Sequence, residues 1–165
     1  MNGSPALESA RTLAVMGRGD EARATLSAIL EREPEHAGAL ALLGEVLLNE
    51  RDPERALPLL RRAAAADASS AEAANLVART LHALGQHEEA LASARRARTL
   101  LADPRNFRET APVYLTIVWC LREQRLLREA LEAAEEGLRL TPDAVLADWA
   151  SVVEQELAES EKERC

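Results

Sequence analysis

The chain has 165 residues and carries 28 acidic and 20 lysine or arginine side chains, which gives a formal net charge of −8 at pH 7. Such a surface repels phosphate backbones and anionic lipids on average, so we expect neither nucleic-acid binding nor membrane insertion. Aromatic residues make up only 2% of the chain, while alanine, leucine, glutamate and arginine dominate, a composition that favours helices nearly everywhere.

Four alanines recur near the start of helix-like stretches. Ala22, Ala56 and Ala90 are 34 residues apart, and Ala130 follows after a longer interval. A fixed period of this length indicates a stacked-repeat architecture. The period divides the chain into units at residues 3–36, 37–70, 71–104 and 111–144, with a six-residue insertion at 105–110.

Each unit is predicted to form a helix, a short turn and a second helix. The turns contain glycine, Asp-Pro or a polar break where a helix should stop, at Met16–Asp20, Glu50–Pro53, Leu84–His87 and Gln124–Leu127. Apolar residues recur at three- and four-residue spacing, as at Leu40, Leu43 and Leu47, so each helix has one apolar stripe. Because a single pair cannot bury both of its stripes, neighbouring pairs must stack and share a core.

After the fourth unit, the pattern predicts one more helix at residues 145–160, which caps the open end of the array. Asp143 precedes this helix. One of its faces is apolar and consists of Leu146, Trp149, Val153 and Leu157. The charged residues that follow are expected to form a frayed tail at 161–165.

The same frame positions carry the same kinds of residue in successive units. The second unit has Leu40, Leu43, Gly44, Leu47, Ala56, Leu60 and Ala63 at these positions. The third has Val77, Ala78, Leu81, Gly85, Ala90 and Ala97, and the fourth has Tyr114, Ile117, Leu121, Ala130, Gly137 and Pro142. In these residues, and over about Gly3 to Ala144, the chain resembles the tetratricopeptide repeat family. The resemblance implies an all-α fold, a right-handed α-solenoid of stacked antiparallel helix pairs.

The family resemblance also implies a concave groove, lined by the first helix of each unit, for an extended peptide or a helix of a partner. The groove positions predict a binding surface formed by Arg11, Glu45, Asn49, Asn75, Arg79, His82, Leu115, Trp119 and Arg122. Arginine and asparagine bind carboxylates and backbone amides, and tryptophan supplies an apolar anchor. The alternative is that the three arginines form a solvated face or pair with Glu45 and Glu123.

Trp119 has two interpretations, as a groove residue or as a core residue. Tyr114, Ile117 and Leu121 already supply the apolar stripe of its helix, which favours the groove. On this hypothesis, Trp119→Ala weakens partner binding and leaves melting nearly unchanged. A large loss of stability would instead move Trp119 into the core.

The chain departs from the family pattern at two places. Pro58 lies in the first turns of a second helix and removes a backbone donor, so that helix is expected to start late or bend slightly. Phe107 lies in the insertion, where a loop aromatic usually tucks back onto neighbouring helices and less often contacts a partner. Family members that clamp the C-terminal carboxylate of chaperone tails use a set of lysines and asparagines that is absent here, so such an adaptor is not expected.

No residues point to catalysis, a cofactor or a metal. His82, His87 and Cys120 lack the spacing of metal ligands, and no phosphate-binding loop, nucleophile elbow or plausible carboxylate pair is present. Cys120 is expected to pack as a small apolar residue, whereas Cys165 could be exposed and reactive.

These observations predict a non-enzymatic adaptor or scaffold that binds a protein or peptide ligand and helps to assemble or regulate a bacterial complex. The alternatives are a self-associating subunit that uses the C-terminal helix and an accessory subunit of an enzyme encoded elsewhere. A cytoplasmic location is expected because residues 1–15 lack a basic segment followed by an apolar one, and two cysteines suggest a reducing compartment. The near-exclusive use of arginine over lysine suggests a GC-rich bacterial genome.

Overall fold

A computed structural model describes residues 4–163, and within them the chain forms nine helices and no strand. The helices are α1 (Pro5–Val15), α2 (Gly19–Arg32), α3 (Ala37–Asn49), α4 (Pro53–Ala66), α5 (Ala71–Ala83), α6 (His87–Leu100), α7 (Phe107–Glu123), α8 (Leu127–Leu140) and α9 (Ala144–Lys162). The first eight pack as successive pairs that stack in chain order, and α9 packs on α7 and α8. The predicted right-handed solenoid of antiparallel helix pairs is confirmed.

The turn inside each pair contains one residue with a left-handed backbone. Gly17 and Gly85 have φ angles of 73° and 75°, and Arg51 and Arg125 have φ angles of 64° and 62°. Glycine adopts this conformation without a steric penalty, whereas arginine does so at a cost. These four positions keep the same spacing as the four period-setting alanines, so an equivalent turn closes every pair.

The helices approach closely where the sequence places small residues. Ala22, Ala56, Ala90 and Ala130 are all 0% exposed. Two glycines mark still closer contacts: a Cβ added to Gly44 would lie 2.5 Å from Leu60 Cγ, and one added to Gly137 would lie 2.8 Å from Tyr114 Cγ. Larger side chains at such positions would overpack the core, which explains why the small residues recur with the period.

The six extra residues before the fourth pair do not form a loop. Only Arg105 and Asn106 precede α7, and the next four residues are its first turn. The Asn106 side chain starts this helix early by accepting a hydrogen bond from the backbone N–H of Arg108, at 3.2 Å. Phe107 is the first helical residue and remains 59% exposed, so the expectation that it packs back onto neighbouring helices is wrong.

The expected late start of the helix containing Pro58 is also wrong. α4 begins at Pro53, because the side chain of Asp52 accepts a hydrogen bond from the backbone N–H of Arg55 and proline is favourable at the first helical position. Pro58 therefore lies inside α4. Its missing donor falls within the second turn, where the side chain is exposed.

The C-terminal helix closes the array as the sequence predicts. Asp143 accepts a hydrogen bond from the backbone N–H of Leu146 at 2.8 Å, and Leu146 and Val153 are fully buried. α9 continues to Lys162, so it includes the first part of the predicted tail. The predicted ends of the array and of the tail, Gly3 and Cys165, lie outside the described residues.

Candidate functional site

A cavity of about 340 Å³, which we call the central cavity, opens between the first helices of the four pairs. Its charged residues are Arg11, Glu45, Glu72, Arg79, Arg108 and Glu109, and its remaining lining residues are Asn75, Leu76, Pro112 and Val113. Three positive and three negative side chains make the cavity formally neutral in a chain of net charge −8. The cavity is therefore less acidic than the chain as a whole.

The structure brings four of the nine predicted binding residues together in this cavity. Arg11 comes from α1, Glu45 from α3, and Asn75 and Arg79 from α5. They share a cavity because equivalent positions of neighbouring first helices lie side by side in a stacked array.

Asn75 is the buried polar side chain of the central cavity. It is 5% exposed, and its Oδ1 has no hydrogen-bond partner among the described residues. A buried amide oxygen without a donor has lost its hydration without compensation, which costs roughly 1–3 kcal/mol. Buried polar groups are normally paired, so this oxygen departs from the usual pattern.

Two ion pairs join residues that line the central cavity. Arg79 Nη1 lies 4.0 Å from Glu45 Oε1, and Arg11 Nη1 lies 3.8 Å from Glu72 Oε1. Both separations exceed a hydrogen bond, so the guanidinium groups keep unused N–H donors. The alternative interpretation, in which these arginines pair with neighbouring glutamates, holds in part, but the pairing leaves them able to bind a ligand.

The cavity also contains residues that the sequence did not point to. Glu72 lies in the first turn of α5, and Arg108 and Glu109 lie in the extra first turn of α7. Treating residues 105–110 as a loop hid the last two. The asparagine followed by a charged helical stretch at Asn106 was the signal for an earlier helix start.

Two other predicted residues, His82 and Trp119, form a separate aromatic cluster with Trp149. The ring of Trp119 lies 6.1 Å from that of His82 and 6.1 Å from that of Trp149 on α9, with an edge-to-face angle of 73° to the latter. The indole Nε1 of Trp119 is buried without a hydrogen-bond partner. Trp119 is therefore a partly buried packing residue beneath α9, and not an open groove anchor.

Arg122 is held by the same C-terminal helix. Its Nε donates to both carboxylate oxygens of Glu156 at 3.0 Å, and its Cζ lies 5.5 Å from the centre of the Trp149 ring. It also contacts Glu123 at 3.3 Å, one of the partners expected in the alternative interpretation. These contacts engage the N–H donors of the guanidinium group, so Arg122 is poorly placed to bind a partner.

The other predicted residues play smaller roles. Leu115 is half-buried and packs against the main core, while Asn49 is exposed at the end of α3, outside the central cavity. Cys120 is fully buried and packs as the expected small apolar residue, and burial raises the pKa of its thiol to about 12. Across residues 4–163, no group of three His, Cys, Asp or Glu side chains is arranged to hold a metal ion.

The partly buried His82, beside Trp119, is expected to make stability depend on pH. The rings of His82 and His87 lie 5.2 Å apart, and His82 Nε2 and His87 Nδ1 are buried without partners. Burial lowers the pKa of His82, the proximity of His87 lowers it further, and Glu123 from α7 opposes the shift. The folded state therefore favours neutral His82. The contribution of this histidine to the free energy of unfolding is fully present above its unfolded pKa of about 6.5.

We expect the free energy of unfolding to fall as the pH drops below about 6.5 and to continue falling until the folded pKa of His82 is passed. Urea unfolding between pH 7.5 and 5 measures this. His82→Gln should flatten the dependence. Equal pH slopes in the wild type and His82→Gln would contradict the assignment.

No helix within residues 4–163 has the length and apolarity needed to cross a bilayer.

Comparison with known proteins identifies the repeats. Residues 13–80 match the family model described as Tetratricopeptide repeat. Among curated protein sequences, none matches the chain.

Solved structures extend the likeness of fold to nearly the whole chain. A structure titled for PilF of Pseudomonas aeruginosa is 22% identical and superposes with a TM-score of 0.82. The matched region covers 93% of this chain and 68% of the PilF chain. The tetratricopeptide protein TTC0263 of Thermus thermophilus is 21% identical, with coverages of 93% and 80% and a TM-score of 0.73. A MamA structure is 17% identical, with coverages of 99% and 98% and a TM-score of 0.71. Taken with the stacked helix pairs, this likeness shows that nearly the whole chain has the solenoid fold of tetratricopeptide repeat structures, and the family match itself covers residues 13–80.

Proposed function

We propose that this protein is a non-enzymatic adaptor whose central cavity holds an extended segment of a partner protein and so helps to assemble or regulate a complex. The fold supports a protein-interaction role in general. The observation that carries the specific proposal is the buried, unpaired Oδ1 of Asn75 within a cavity that is otherwise lined by charged and apolar residues.

The cavity suits an extended backbone better than a helix. An extended chain presents N–H donors and C=O acceptors along its sides, whereas a helix uses these groups internally. One peptide N–H supplies the donor that Asn75 lacks, and the unused donors of Arg11 and Arg79 bind peptide carbonyls. A volume of about 340 Å³ is also small beside a helix roughly 10 Å across.

Self-association through α9 is the weaker candidate. Val145 and Val152 are exposed on this helix, at 52% and 39%, and would favour a contact. The helix also carries acidic residues at Asp148, Glu154 and Glu159, which would repel their counterparts in a second copy. The charge pattern therefore favours the adaptor.

The decisive variant is Asn75→Leu, compared with Asn49→Leu as a matched control outside the cavity. We would select peptides that bind the wild type from a randomised twelve-residue display library and measure their affinities as synthetic, amidated peptides. Asn75→Leu should weaken binding about tenfold or more, because the peptide N–H loses its acceptor on burial, while Asn49→Leu should not. Stability should be retained, because leucine removes an unpaired buried oxygen. Unchanged affinity in Asn75→Leu would refute the proposal.

A further inference from the structure

The three arginines of the central cavity differ in their partners. Arg11 and Arg79 each face a glutamate, at 3.8 Å and 4.0 Å. Arg108 has no carboxylate within 4.0 Å among residues 4–163, and its guanidinium lies 5.9 Å from the centre of the Phe107 ring. Arg108 is thus the cavity's arginine without a carboxylate partner in the described part of the chain.

Glu109, the nearest acid in sequence, is held away from Arg108 by the turn that starts α7. The side-chain amide of Asn106 donates to Glu109 Oε1 at 3.0 Å, which draws the carboxylate towards the loop before the helix. The other two acids of the cavity, Glu45 and Glu72, are matched by Arg79 and Arg11. A negative group entering beside Arg108 therefore meets a cation that no protein carboxylate already holds.

We propose that Arg108 makes the central cavity selective for a partner segment that carries an internal aspartate or glutamate near the residue bound by Asn75. This proposal rests on the proposed function, since it names the chemistry of the segment held there. A guanidinium binds a carboxylate through two parallel N–H donors, which gives geometric as well as electrostatic selectivity. In this proposal Asn75 accepts a hydrogen bond from the backbone of the segment, and Arg108 binds the carboxylate of one of its side chains.

The break in the repeat period places this arginine in the cavity. α3 begins at Ala37 and α5 at Ala71, whereas α7 begins four residues before the equivalent Ala111. Arg108 lies in this extra turn, before the residue at which α7 would begin if the repeat period were regular. A chain with an unbroken period would lack both this turn and the selectivity that we assign to it.

The test is a double-mutant cycle between the protein and a peptide. The probe is an amidated peptide selected as above, together with its derivative in which the acidic residue is changed to the amide (Asp→Asn or Glu→Gln). Both are titrated against the wild type, Arg108→Gln and Arg105→Gln. Arg105 is an exposed arginine three residues away and outside the cavity lining, so its variant matches the charge change.

Arg108→Gln should lower the affinity for the acidic peptide about tenfold and change the affinity for its amide derivative less than twofold. Arg105→Gln should change neither affinity. The selectivity is refuted if the selected peptides lack an acidic residue, or if Arg108→Gln weakens both peptides equally. These outcomes differ from failure of the proposed function, in which Asn75→Leu leaves the affinity for every selected peptide unchanged.

Discussion

Leu60→Ala should lower the free energy of unfolding by about 2–5 kcal/mol. Leu60 lies on α4, is 0% exposed, and packs directly against Gly44 of α3. Removing its side chain loses buried apolar surface and leaves a void that a closely packed pair cannot fill.

Because of the same contact, the effect of Gly44→Ala on the free energy of unfolding should have opposite signs in the wild type and in the Leu60→Ala variant. In the wild type, Gly44→Ala should destabilise, because the new Cβ would lie 2.5 Å from Leu60 Cγ and the buried leucine has little room to move. In the Leu60→Ala background it should stabilise, because the methyl group enters the void and alanine favours helix over glycine by about 1 kcal/mol.

Urea unfolding of the four proteins in this cycle measures both effects, with far-ultraviolet circular dichroism as the readout. The expected signature is a large coupling energy between Leu60 and Gly44. If Gly44→Ala has the same effect in both backgrounds, the two residues do not share the contact that the structure shows.

Trp149→Ala should be the second strongly destabilising change, with a loss of about 2–4 kcal/mol. Trp149 is partly buried, packs edge-on against Trp119, and lies beneath the guanidinium of Arg122. Its removal takes away the ring contact with Trp119 and the contact with the Arg122 guanidinium, both of which join α9 to α7. Aromatic pairs of this geometry contribute about 0.5–1.5 kcal/mol beyond their buried area.

Trp119→Ala should also destabilise the fold, contrary to the sequence-based expectation that melting would hardly change. The chain has two tryptophans, so each single variant reports the fluorescence of the other. In Trp149→Ala, the emission of Trp119 should shift to the red as water reaches it. Unchanged melting temperatures and an unshifted spectrum would place Trp119 on an open surface after all.

The sequence predicts the array well because its strongest signals are packing constraints. Ala22, Ala56 and Ala90 keep one spacing because each lies fully buried in an equivalent place, and the chain folds as the stacked helix pairs that this spacing predicts. The register failed at residues 105–110. There a local capping signal at Asn106 extends a helix, and a period counted between units does not detect it.

The candidate site is less predictable because it depends on what lies across from each helix. The frame placed Arg11, Asn75 and Arg79 on one surface, and the cavity contains all three. It placed Trp119 and Arg122 on the same surface, but α9 covers them, and the contact of Trp149 with Trp119 depends on packing between distant segments. Positions within one repeat cannot reveal such a cover.

The ion pair between Arg11 and Glu72 joins the first helix pair to the third and passes over the second. Because both side chains are about half exposed, this ion pair is weak, and salt screens it over a Debye length of about 8 Å at physiological ionic strength. Raising the ionic strength should therefore weaken this direct link between the first and third helix pairs, while the packed contacts between neighbouring pairs remain.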